Sequence, residues 1–220
     1  MTNPLYQPVR DFEAMLSEYT GAPHVVAVDS CMSALYLAMA RRLTTTGYRH
    51  VPIIPKHTYP CVAQMVRFEC ESIAFRDSQI IIDNDGYLSG YYEISPYNVW
   101  DSALSFYKGM WYDFLKRSFV CLSFTGPRKY LKLPKAGAIL CGNEEDAEWF
   151  KRARFGGRRE MPYHEDTFDW YGPGFNMYLL PEIAIQGIRA LQHHIAEWGT
   201  ERCPDLALPY PDLSQMPAFK

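Results

Sequence analysis

HVVAVDSCMSALYLAM (24–39) is the stretch whose reading decides the fold. Its first five residues form an apolar, valine-rich run, the composition of a strand buried on both faces. Asp29 and Ser30 follow, and Ser30 is a residue type that caps a helix N-terminus. Beyond it Met32, Leu35, Tyr36, Met39 and Leu43 recur at helical spacing, until Thr44 to Gly47 breaks the pattern. Outward from this unit, VPIIP (51–55) reads as a second strand, and HTYP leads into a helix over about 60–70. Val62, Met65 and Val66 face inward on it. SIAF (72–75) reads as a third strand. Strand, helix, strand, helix, strand predicts an α/β fold: three α/β/α layers around a mostly parallel sheet.

The rest of the chain extends that plan. QIIID (79–83), an NDGY turn and a Tyr-rich segment to 94 read as short strands around a turn. YNVW (97–100) ends at Asp101, FVCLSF (119–124) is the next strand, and AGAIL (136–140) follows a Pro- and Lys-rich loop. Residues 144–155 start acidic and end basic, matching a helix dipole at both ends. Ala184, Ile188, Leu191, Ile195 and Trp198 mark an amphipathic helix over 181–198. The expected division is one cofactor-sized domain over 1–199 and an extended, proline-rich tail over 200–220.

Of the 220 residues 48% are hydrophobic, ample for one core, which excludes wholesale disorder. No apolar run approaches the roughly 18 residues of a membrane helix. The start MTNPLYQPVRDFEAML lacks a basic, apolar leader, so a cytoplasmic location is expected. Six cysteines without CxxC spacing read as free thiols. Residues 116–159 carry 11 basic and 4 acidic side chains, a local balance of +7. Such a segment suits phosphates, nucleic acid or plain solvent. Nucleic acid is the weakest of these, since no RRM, KH or helix-turn-helix signature is present. No metal is expected either: His193 and His194 are adjacent on a helix, and His24 and His164 lack a partner at ligand spacing.

The order of the polar residues carries the chemistry. One strand runs into Ser30 and a helix N-terminus able to seat an anion. A second runs into His57 and Tyr59, an aromatic suited to stacking on a planar ring. A third ends in Asp101, and a fourth in Ser123 followed by a lysine-bearing loop. Anion seat, stacking aromatic, acid and lysine at strand ends are what pyridoxal phosphate requires.

In these residues the sequence resembles the DegT/DnrJ/EryC1/StrS group of pyridoxal-phosphate enzymes, mostly nucleotide-sugar aminotransferases of fold type I. The resemblance runs through 12–39, VPIIPKHTYPCVAQMV (51–66), VWDSAL (99–104), CLSF to AGAIL (121–140) and GFNMYLLPEIAIQGI (174–188). It implies that Ser30, Cys31 and Met32 form the phosphate turn, that Tyr59 stacks on the ring and that Asp101 pairs with its nitrogen. It further implies that Ser123 helps bind phosphate, Lys129 bonds to the cofactor, and Asn176 reaches the phosphate of a partner subunit in a homodimer. The implied substrates are an amino-acid donor and a nucleotide-linked keto sugar, as in surface-polysaccharide or amino-sugar synthesis, with dehydration as the other chemistry of the group. Arg152, Arg154, Arg158 and Arg159 are candidates for the nucleotide diphosphate.

Three departures from the family pattern stand out. Cys31 and Met32 replace a Gly-Thr pair, removing a hydroxyl. Leu104 replaces a Gln or His that contacts the ring oxygen. The lysine loop is one residue longer, so Arg128 competes for the lysine's place, and Arg cannot bond to the cofactor. Lys129 is favoured because KYLKLPKAGAIL then runs ungapped, with Lys132 and Lys135 as lesser candidates. The alternative is an inactive relative that keeps the fold as a binding or dimerisation module. Family members are also longer, so a shortened chain lacking most of the small C-terminal domain is expected.

Overall fold

The computed structural model describes residues 3–47, 50–77, 87–161, 163–167, 169–170, 172–199, 201 and 203–219. QIIID and the Asn-Asp-Gly turn lie outside the described residues. Helix α1 (Gln7–Thr20) leads to strand β1 (His24–Val28) and helix α2 (Cys31–Thr46). Ser30 caps α2, its side chain accepting the Ser33 N–H at 3.1 Å. Strand β2 (Ile53–Pro55), helix α3 (Pro60–Cys70) and strand β3 (Ala74–Arg76) repeat the motif, with Pro60 at the first turn where no N–H is needed. Strands β4 (Tyr87–Ile94), β5 (Val99–Leu104), β6 (Phe119–Ser123) and β7 (Gly137–Cys141) follow. Helices α4 (Glu144–Arg154) and α5 (Pro181–Trp198) and a short strand β8 (Ala207–Pro209) complete the chain.

The main sheet has the order β1-β7-β6-β5-β4-β8, and β2 pairs with β3 beside it. Among the described residues only β5–β6 and β2–β3 are parallel neighbours; β4 and β7 run against the strands they pair with. An antiparallel bridge from Ile53 to Ser95 sets β2 against the end of β4. Six of the eight strands therefore point one way, and β4 and β7 point the other. The predominance of one direction agrees with the sequence reading, while β4 corrects it locally. Four residues, 95–98, join β4 to β5. A parallel return needs a crossover of about a dozen residues or more, so a link this short can only make a hairpin.

Side chains alternate across the sheet and divide the core in two. Val26, Val28, Ile139 and Cys141 face α2, α3 and α4. Val25, Ala27, Ala138 and Leu140 face α1 and α5. Strands β6 and β7 are buried throughout, so each large aliphatic there contributes about 1.5–3 kcal/mol through burial. The result is three α/β/α layers. The described tail residues pack on the rest of the chain: β8 adds an edge to β4, single 3-10 turns follow at Leu213–Gln215 and Pro217–Phe219, and Leu213 is fully buried.

Candidate active site

The C-terminal ends of β1, β2, β5 and β6 open on one cavity of about 430 Å³. Ligands of open α/β sheets bind at such ends. Ser30, Cys31, Met32, Tyr59, Asp101, Ser123 and Lys129 all line it, together with Thr125, Arg128 and three tail residues, Leu208, Pro209 and Tyr210. Asn176 does not. It is exposed on the segment before α5, bridged to Phe155.

Asp101 and Lys129 meet at one residue. Asp101 Oδ1 accepts the Ala103 N–H at 2.9 Å, and Lys129 Nζ donates to the Ala103 carbonyl at 2.7 Å. Asp101 is 5% exposed, and its second oxygen accepts from Tyr92 Oη at 2.9 Å. Burial raises its pKa, while the Ala103 N–H, the Tyr92 hydroxyl and the Lys129 charge work the other way. Burial also lowers the Lys129 pKa, aided by the Arg128 charge and opposed by Cys31 and Asp101. A depressed lysine has a larger share of the neutral amine, the form that attacks a carbonyl.

The loop that carries the lysine settles which side chain turns inward. Gly126 at φ 96 makes a turn in which Lys129 N–H bonds to its carbonyl at 3.2 Å. A positive φ of this kind favours glycine. After it Arg128 is exposed at the cavity mouth and Lys129 is turned onto Ala103. Lys132 and Lys135 are exposed, and Lys135 pairs with Asp29.

At the other end, the first turn of α2 rests on β7. A Cβ on Gly137 would lie 2.5 Å from Ser30 C and 2.6 Å from Cys31 N, so only glycine permits that approach. The Cys31 side chain points inward, its Sγ 4.0 Å from Asp101 Oδ1. Burial pushes this thiol well above its usual pKa, so it stays neutral. Tyr59 is 51% exposed and forms one side of the mouth. The cavity wall thus offers helix N–H groups and hydroxyls from the start of α2 and a buried carboxylate from β5. That donor set fits a phosphate and a protonated ring nitrogen.

The basic segment serves a different purpose from the one expected. Arg152 and Arg159 bind Asp169 at 2.7 and 2.8 Å, holding its carboxyl down to about 2. Arg154 is buried against Glu13. None of these lines the cavity, and neither does Arg158, whose guanidinium lies over the Phe155 ring. The reading of this segment as a diphosphate clamp is corrected by those pairings.

Residues 2–79 match the DegT/DnrJ/EryC1/StrS aminotransferase family model. The resemblance holds. Several solved structures share the fold of this chain. One is PseC of Helicobacter pylori, an aminotransferase involved in the biosynthesis of pseudoaminic acid: TM-score 0.64, 17% identity, covering 86% of this chain and 58% of that one. Another is DesV of S. venezuelae in complex with a ketimine intermediate: TM-score 0.59, 21% identity, covering 87% and 57%. NtdA of Bacillus subtilis, with bound PMP, has TM-score 0.57 and 17% identity, covering 85% and 48%. The chain thus spans less than two thirds of these structures. No curated protein matches it by sequence. The residues that sequence reasoning missed are those whose position depends on distant pairing. Tyr92 reaches Asp101 from β4, Thr58 reaches the Tyr92 hydroxyl in turn, and Tyr210 arrives on the tail.

Proposed function

We propose that this chain binds pyridoxal phosphate and acts as an aminotransferase, moving an amino group from an amino acid to a nucleotide-linked keto sugar. The observation that carries the reading is the placing of Asp101 on the N–H and Lys129 on the C=O of one residue, Ala103, in the wall of a 430 Å³ cavity. When bound, the cofactor supplies an electron sink that lets an amino group pass between carbon skeletons. In this reading Asp101 holds a proton on the ring nitrogen, and Tyr59 covers one ring face. The free N–H groups at the start of α2, with Ser30 and Ser123, hold the phosphate. Lys129 anchors the cofactor and moves protons to and from the substrate carbon. Asn176, exposed and away from its own cavity, is available to a second copy, which supports a homodimer.

A second reading, a non-catalytic relative, is favoured by Leu104. It is 3% exposed, and its apolar side chain offers no hydrogen bond where the family has a polar contact. The two readings separate on the purified chain. Incubated with pyridoxal phosphate and reduced with borohydride, the peptide bearing Lys129 is expected to gain the pyridoxyl mass, and Lys129→Ala to gain none. Failure to label any lysine overturns cofactor binding. Labelling without a spectral change on adding glutamate favours the non-catalytic relative.

A further inference from the structure

We infer that Tyr92, on the reversed strand β4, is a positioning residue that holds the Asp101 carboxylate in place through its hydroxyl, with Thr58 fixing that hydroxyl in turn. The inference rests on the reading of Asp101 as the acid that faces a ring nitrogen. Three side chains from three elements form the relay. Thr58 Oγ1 lies 2.6 Å from Tyr92 Oη, and Tyr92 Oη donates to Asp101 Oδ2 at 2.9 Å. Thr58 is 1% and Tyr92 3% exposed, so neither bond is traded for water. Tyr92 stands directly opposite Asp101 in the β4–β5 ladder, a register fixed by the short link between the strands. Immediately beyond the pair the ladder slips at a bulge between Gly90 and Tyr92. Bulges of this kind kink a strand and re-aim side chains beside functional sites.

The chemistry of the relay is specific to a charged carboxylate. A hydroxyl that donates to an ionised oxygen favours the charge, and without it burial leaves the acid more readily protonated. Burial keeps the Tyr92 hydroxyl itself protonated, with Asp101 adding to the effect. The other titratable groups acting on Asp101 or Tyr92 are Cys31 on α2, Cys121 on β6, Lys129 on its loop and Tyr210 on the tail. Of these only Lys129 adds a positive charge. Tyr92 is therefore the side chain that, with the Ala103 N–H, still favours the charged form of Asp101 when Lys129 is engaged elsewhere. A merely structural tyrosine would contribute packing, which Phe would retain.

The test compares wild type with Tyr92→Phe and Thr58→Val. In the cofactor-free protein, the Asp101 carboxyl titration followed by carbon NMR is expected to move to higher pH in Tyr92→Phe, and less far the same way in Thr58→Val. Pyridoxal phosphate affinity, read by visible absorption, is expected to fall about tenfold in Tyr92→Phe, the scale of one hydrogen bond to a charged group. An Asp101 titration that stays in place in Tyr92→Phe overturns the inference. Should Tyr92→Phe fail to fold by thermal unfolding, the Thr58→Val titration decides by the same criterion. A wild-type chain that binds no cofactor while the titration moves overturns the proposed function and leaves the positioning role standing.

Discussion

Asp101 sits where burial opposes its charge and two donors oppose that burial. The balance leaves its pKa above the ordinary 3.8, so the folded chain holds this proton more tightly than the unfolded one. The stability tied to that proton is present below pH 3.8 and is lost as pH rises through the raised value. Asn at this position carries no such proton. Its amide also fits the site, because the Tyr92 hydroxyl can turn to donate to Thr58 and accept from the amide. Asp101→Asn is therefore expected to gain stability relative to wild type as pH rises from the acid range to neutral, while losing cofactor retention. Urea unfolding of the cofactor-free proteins at a series of pH values checks this, and a difference that shrinks toward neutral pH sinks it. Stability and function conflict at one side chain, as a buried functional acid requires.

Elements are held by fewer, costlier contacts than their number suggests. Helices α1 and α4 lie on opposite faces of the sheet, and both are tied to β1 at Ala27. Glu13 Oε1 accepts the Ala27 N–H at 2.8 Å, and Arg154 Nη1 donates both to Glu13 and to the Ala27 carbonyl. Both side chains are under 10% exposed. Removing one partner leaves a buried charge, so Glu13→Ala is expected to cost about 3 kcal/mol, and the apolar pair Glu13→Leu with Arg154→Met to recover most of it. A single variant costing under about 1 kcal/mol by urea unfolding would contradict the assignment. The same scale explains what the sequence could disclose. Strand β1, helix α2, helix α3 and helix α5 announce themselves by local period and caps, and the ends read from sequence fall within a few residues of those observed. The cavity residues on those elements were legible for the same reason. The direction of β4 was not, because it depends on the length of a link and not on composition. Tyr92 reaches Asp101 through the β4–β5 register and Tyr210 reaches the cavity on the tail, and no local pattern distinguishes them from other tyrosines. Arg154 reads in the sequence as a candidate for the nucleotide diphosphate because the carboxylate that holds it lies 141 residues away.

At the scale of the whole molecule, the cavity has walls of two kinds. The floor and sides come from the sheet and α2, whose apolar faces are sealed by two cores. The last wall, Leu208, Pro209 and Tyr210, comes from the tail. That tail is held by the short β8–β4 ladder, by Leu206 N–H on the Leu104 carbonyl at 2.7 Å, and by His57 Nδ1 against the Tyr210 carbonyl at 3.0 Å. Its one deeply anchored side chain downstream of the cavity is Leu213, fully buried, with its N–H on the Lys56 carbonyl at 2.9 Å. Truncating a buried leucine costs about 2–5 kcal/mol. At Leu213 that cost falls on a segment with few other ties, so it releases the segment before it unfolds the sheet. Leu213→Ala is thus expected to speed limited proteolysis after Cys203 and hydrogen exchange over residues 206–213, with little change in the urea midpoint of the sheet. The opened wall is expected to weaken retention of any ligand held there, pyridoxal phosphate included. A lower global midpoint with unchanged proteolysis of the tail would show instead that the tail and the sheet unfold as one unit, and that the wall is part of the core.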